Sequence, residues 1–179
     1  HLMKLFDASI YVNRRKALMH AMGNGVLFFP GSVDQPINYK ANTYPFRQDS
    51  NFLYYFGFAQ SGLAGIIDAD SGKSILVGND ADIEDVIWIG PQSSMNDRIH
   101  RIGADQHLKS EDLPKWLSGK TVQYLPPYHS DRLFYLSYIL GKTTMEISEG
   151  HSMKLVHAVI QQRAHKAPEE IEQMEEALS

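Results

Sequence analysis

Ser9 to Pro30 reads SIYVNRRKALMHAMGNGVLFFP, and this stretch decides the fold class. Tyr11, Leu18, Ala21 and Met22 recur at helical spacing around the polar Asn13, Arg14, Arg15 and Lys16, which predicts a helix from about Ser9 to Met22. Ser9 is the expected cap, and Gly23-Asn24-Gly25 is the expected stop. Val26 to Phe29 is then wholly apolar and closed by Pro30-Gly31, the pattern of a strand buried on both faces. A helix running into such a strand points to α/β layering.

Downstream, Ser32 to Gln48 has no periodicity and carries two prolines and three asparagines or aspartates, so it reads as a long connecting loop. Leu63 to Asp68 and Lys73 to Val77 flank Asp68-Ala69-Asp70-Ser71-Gly72, turn chemistry between two apolar runs, and read as a hairpin. Helices are expected near Asp80 to Val86, Ser94 to Ile102 and Ser110 to Leu117, with a strand at Thr121 to Leu125. Two more are expected at Asp131 to Leu140, with Leu133, Leu136 and Leu140 on one face, and at His151 to His165, with Leu155, Val156, Val159 and Ile160. A last helix opens at Pro168 and stops at Ser179 without a cap, which suggests that the natural polypeptide continues. His1 and Leu2 before Met3 read as a vector remnant.

The composition narrows the function. With 17 basic and 21 acidic side chains the formal charge is -4, so nothing draws the chain to nucleic acid or to an anionic membrane. No cysteine is present, which removes disulfides and thiol nucleophiles and suits a reducing, cytoplasmic setting. No apolar run approaches the roughly 20 residues of a spanning helix.

Local motifs for chemistry are weak. Gly72-Lys73-Ser74 resembles the end of a phosphate-binding loop, but Gly65 stands too far upstream, so a hairpin turn is the better reading. Asp68 and Asp70, and Asp80, Asp82 and Asp85, read as turn and cap residues rather than as ligands for a hard cation. His100, His107, His151, His157 and His165 lack zinc-like spacing, and no serine lies in a Gly-x-Ser-x-Gly elbow. The most unusual stretch is Tyr44-Pro45-Phe46-Arg47-Gln48-Asp49-Ser50-Asn51-Phe52-Leu53-Tyr54-Tyr55-Phe56-Gly57-Phe58, in which seven of fifteen residues are aromatic. It reads either as a core-forming segment, with Arg47 held by a carboxylate such as Asp49, or as a recognition surface.

That stretch resembles the signature of the amino-terminal domain in aminopeptidase P, shared with relatives such as prolidase and creatinase. Arg14-Arg15, the hairpin after Gly57-Phe58, and Ile87-Trp88-Ile89-Gly90 follow in the family's order, and Arg163 to Ile171 resembles the junction with the family's catalytic domain. The resemblance implies an α/β domain with a mixed sheet flanked by helices and RNase-H-like topology over residues 3–165. Residues 166–179 would begin a linking helix to a pita-bread catalytic domain.

The implied function is that of the non-catalytic domain of a manganese-dependent Xaa-Pro aminopeptidase, which shapes access to the active site and takes part in oligomer contacts. A prolidase parent and a freestanding binding module are the alternatives. The resemblance places two manganese ions in the catalytic domain and no catalytic or metal-binding residue in this chain. Tyr44, Phe46 and Trp88 are candidates for the substrate cleft or an interface, and Arg47 with Asp49 for a structural anchor. Pro91 and Gln92 stand where relatives often carry an arginine. The implied partners are the chain's own catalytic domain, further copies in a dimer or tetramer, and a peptide substrate.

Overall fold

Strand β1 (Val26–Pro30) sends Val26 and Phe28 into one core and Leu27 and Phe29 into another, with all four excluded from solvent. Only a strand covered on both faces takes apolar side chains in such succession, and each buried side chain of this size stabilises the fold by about 1.5–3 kcal/mol over leaving it exposed. The structure, a computed structural model, describes residues 5–32, 47–80 and 94–165.

Strand β2 (Ala64–Asp68) pairs antiparallel with β1, and β3 (Lys73–Val77) antiparallel with β2. Strand β4 (Gln106–Leu108) adds in parallel to β3, and β5 (Val122–Tyr124) adds in parallel to β1. The order is therefore β4-β3-β2-β1-β5, a mixed sheet in which β2 runs against the other four. At the hairpin turn the Asp68 carboxylate accepts from the N–H groups of Asp70 and Ser71 and from the Ser71 hydroxyl, while Gly72 takes φ 76°. Lys73 simply opens the next strand, as a turn reading of Gly72-Lys73-Ser74 requires.

Helices α1 (Ala8–Met22), α2 (Ser50–Phe56), α3 (Met95–Ile102) and α7 (Met153–Ala164) cover the Leu27 and Phe29 face. Helices α4 (Leu113–Leu117), α5 (Ser130–Leu140) and α6 (Thr144–Glu149) cover the Val26 and Phe28 face. The result is the mixed, helix-flanked sheet that the resemblance implied. Among the described residues no helix is long and apolar enough to cross a membrane.

Several expectations are corrected. Helix α1 starts at Ala8 with Asp7, not Ser9, in the cap position, and its Arg14 and Arg15 are buried although they read as polar members of the helix. The stretch Ser110 to Leu117 divides into a single 3-10 turn, Ser110–Asp112, followed by α4. Helices α2 and α6 and strand β4 come without a sequence expectation. The expected helices from Asp80 and from Pro168 lie almost wholly outside the described residues.

Candidate functional site

The aromatic motif folds as α2 because Asp49 caps it: one carboxylate oxygen accepts from the N–H groups of Asn51 and Phe52 at 3.0 and 2.9 Å. Phe52, Tyr55 and Phe56 then fall at i, i+3 and i+4, one helical stripe, and all three are fully buried. Phe52 stacks on Phe56, and Tyr55 tilts against Phe29 of β1. The Phe56 ring lies directly on Gly65 of β2, where a Cβ would come within 2.1 Å of it. Gly57 ends the helix at φ 78° with the Tyr11 ring against its α-carbon. The core reading of this stretch therefore holds for residues 52–58.

Two helix C-termini converge on Arg15, which is 1% exposed. Its guanidinium donates to the carbonyl of Tyr55 at 2.8 Å at the end of α2, to that of Ile102 at 2.6 Å at the end of α3, and to the Ser74 hydroxyl at 3.1 Å on β3. Unpaired carbonyls and the negative ends of two helix dipoles make this a favourable place for a cation. Burial still pulls the Arg15 pKa down to about 10, an effect that Asp105 opposes. One residue earlier, Arg14 donates to the Tyr54 carbonyl at 2.8 Å and lies 3.9 Å over the Tyr54 ring.

Helix α7 is latched to the same cluster. Tyr55 donates its hydroxyl to Gln162 Oε1 at 2.7 Å, and Gln162 Nε2 donates to the Arg14 carbonyl at 2.8 Å. Arg163 donates to Ser50 and Asn51. Burial drives the Tyr55 pKa well above the usual phenol value, because the phenolate would lose its water, and the neighbouring Tyr54 adds to the rise.

At the other end of the motif Gln48 acts as a clamp. Its Nε2 donates to the carbonyls of Phe58 and Gln60, and its Oε1 accepts from the N–H groups of Ser32 and Asp49. The second Asp49 oxygen accepts from Arg132 of α5 at 2.6 Å. This corrects the expected anchor: Asp49 is structural, but among the described residues its ion-pair partner is Arg132, and Arg47 is exposed. Tyr44, Phe46, Trp88, Pro91 and Gln92 lie outside the described residues.

The chemistry available here is that of a scaffold. Asp68, Asp80 and Asp105 each receive a backbone N–H, and Asp49 is shared between a cap and an arginine. His100, His151 and His165 each bond a nearby backbone carbonyl of their own helix or turn. Among the described residues no group of three or more His, Asp or Glu side chains converges, so these residues do not fit a dinuclear metal site. Sequence reading singled out the motif but missed Gln48, Arg132, Gln162 and Arg163 as its holders. The Asp49 cap followed by apolar residues at i, i+3 and i+4 was a helix signal in plain view.

A mixed sheet between two helical layers, organised around a capped aromatic helix and a buried arginine pair, defines an α/β scaffold domain. Residues 11–124 match the family model described as "Aminopeptidase P, N-terminal domain". The chain belongs to that family.

Among curated relatives, it is 25% identical to intermediate cleaving peptidase 55, mitochondrial, of Arabidopsis thaliana, with 94% of this chain and 34% of that protein covered. It is 24% identical to the Xaa-Pro aminopeptidase of Escherichia coli K12, with 90% and 40% covered. The solved structure of Pseudomonas aeruginosa aminopeptidase PepP superposes with a TM-score of 0.75 at 24% identity, over 95% of this chain and 41% of that one. The chain thus spans about a third to two fifths of the length of the proteins it matches.

Proposed function

We propose that residues 3–165 form the amino-terminal, non-catalytic domain of a manganese-dependent Xaa-Pro aminopeptidase, and that 166–179 begin the helix linking it to the catalytic part. The observation that carries this reading is the family match over residues 11–124, joined to a fold in which Gln48, Asp49, Phe52, Tyr55 and Phe56 of the motif hold the described elements together. The two manganese ions would be held by a part of the polypeptide other than the described residues, where they would activate a water for attack on the peptide carbonyl.

The domain's part is to wall the approach to that site and to contact neighbouring subunits. Tyr44, Phe46 and Trp88 remain our candidates for the cleft or an interface. The absence of cysteine supports a reducing compartment such as the cytoplasm.

The test compares the whole gene product with a version lacking residues 5–165, on Xaa-Pro peptides of increasing length. We expect the shortened enzyme to lose its discrimination between peptide lengths. Equal KM ratios across the length series for the two proteins would contradict an access role.

A further inference from the structure

Helix α7 buries Leu155 and Val159 but no apolar side chain after them, and Ile160 is 62% exposed. Packing therefore holds the middle of this helix, while its last turn is held by polar contacts. Gln162 Oε1 accepts from the Tyr55 hydroxyl at 2.7 Å, and Gln162 Nε2 donates to the Arg14 carbonyl at 2.8 Å. Arg163 donates to Ser50 Oγ at 3.1 Å and to Asn51 Oδ1 at 2.7 Å, with its guanidinium 5.4 Å from the centre of the Tyr54 ring. The Gln162 carbonyl takes the N–H of His165, whose backbone is already extended.

Two consecutive side chains thus fasten the end of α7 to α1 and to both ends of α2. Hydrogen bonds are directional, so contacts on two different helices fix the angle at which α7 ends as well as its position. The α2 end of the latch is itself braced. Ser50 and Asn51 follow Asp49, whose carboxylate reaches Arg132 of α5 in the opposite helical layer. The exit of the chain at His165 is in this way referred to both layers.

We propose that Gln162 and Arg163 are positioning residues, a polar latch that sets the direction in which the chain leaves the domain at His165. In the proposed enzyme this direction sets how the domain stands over the catalytic part, and so which lengths of Xaa-Pro peptide are admitted. This second step rests on the proposed function; the latch itself does not. A small angular error at His165 is multiplied by the distance to the catalytic part, so slack at one turn becomes a displaced wall at the cleft.

The whole gene product, as wild type, Arg163→Ala and Arg163→Lys, tests both steps. By hydrogen exchange, the amides of residues 161–165 should exchange roughly three- to tenfold faster in Arg163→Ala, with α1 and β1 unchanged, because the loss is local. Arg163 is exposed, so the global unfolding midpoint should barely move. In kinetics on Xaa-Pro peptides of increasing length, Arg163→Ala should shift KM for the long peptides roughly threefold or more relative to the shortest, at unchanged kcat on the shortest. Arg163→Lys keeps a cation over Tyr54 and a donor for Asn51, and should recover part of both effects. A role confined to folding would instead lower every rate together and follow the midpoint.

Unchanged exchange at 161–165 in Arg163→Ala would overturn the latch. Faster exchange with unchanged KM ratios would overturn the positioning role. A whole protein that cleaves no Xaa-Pro peptide would overturn the proposed function and the specificity role with it, while the exchange result would still decide the latch.

Discussion

Asp49 Oδ2 and Arg132 Nη1 meet at 2.6 Å, tying the start of α2 in one helical layer to the first turn of α5 in the other. The same carboxylate caps α2, so a single side chain serves both the family motif and the link between layers. Asp49→Ala should therefore cost about 1–2 kcal/mol, from a lost cap of about 1 kcal/mol and a partly exposed ion pair of at most about 1. A double-mutant cycle with Arg132→Met, read from urea midpoints, should return a coupling of a few tenths to about 1 kcal/mol. Zero coupling would show that the pair contributes only geometry.

The three arginines of the amino-terminal half separate by burial. Arg15→Met leaves two helix-terminal carbonyls and the Ser74 hydroxyl without their donor, and should cost about 3 kcal/mol or more. Arg47→Met, at an exposed side chain, should stay within about 0.5 kcal/mol. Equal losses for the two variants in chemical unfolding would contradict the assignment of Arg15 as the hub.

Gly65 sits mid-strand, where a β-branched residue would normally be favoured. The Phe56 ring occupies the space that a Cβ needs, so Gly65→Val should destabilise by about 1–3 kcal/mol. A thermal scan in which Gly65→Val matches or exceeds the wild-type midpoint would show that the ring is free to move aside.

At alkaline pH the buried phenols govern stability. Burial raises the folded-state pKa of Tyr11, Tyr55, Tyr124 and Tyr135, the last to about 12. Each therefore contributes stability that is complete below the unfolded value of 10.0 and is lost as pH climbs from there toward the folded value. Arg15, lowered to about 10 from 12.5, acts in the opposite sense over that interval and offsets about one proton. Denaturation between pH 9 and 12 should show stability falling above about pH 10, and Tyr55→Phe should reduce the slope by up to about 1.4 kcal/mol per pH unit. An unchanged slope in that variant would mean that Tyr55 ionises in the native state.

Much of the scaffold was legible because it rests on local pattern. The doubly buried run from Val26, the hairpin around Asp68 to Gly72, and the α5 and α7 helices each carry their period or turn chemistry within a few residues. Ile160 of the expected α7 stripe nevertheless faces solvent, and only Leu155 and Val159 of it are buried. Strand β4 was not legible, since its three residues have mostly polar side chains and are held by pairing with β3 rather than by propensity. Helix α6 carries a capping box between Thr143 and Glu146 that is visible in the sequence, but six residues give too little periodicity to reveal it.

The motif was found as a composition anomaly, yet its holders come from afar. Arg15 reaches carbonyls 40 and 87 positions away, and Arg132 lies 83 positions from Asp49. Backbone carbonyls carry no side-chain signature, so nothing in the sequence marks Arg14 and Arg15 as buried.

Peptide cleavage tests the central claim most directly. The whole gene product and the 179-residue chain would be assayed side by side on a peptide with proline in second position, with manganese added and with chelator. The account predicts that the whole protein releases the amino-terminal residue in a metal-dependent way and that the chain alone releases none. Metal-dependent release by the chain alone, lost when its own carboxylates are replaced, would contradict it, as would a whole protein that leaves such peptides intact.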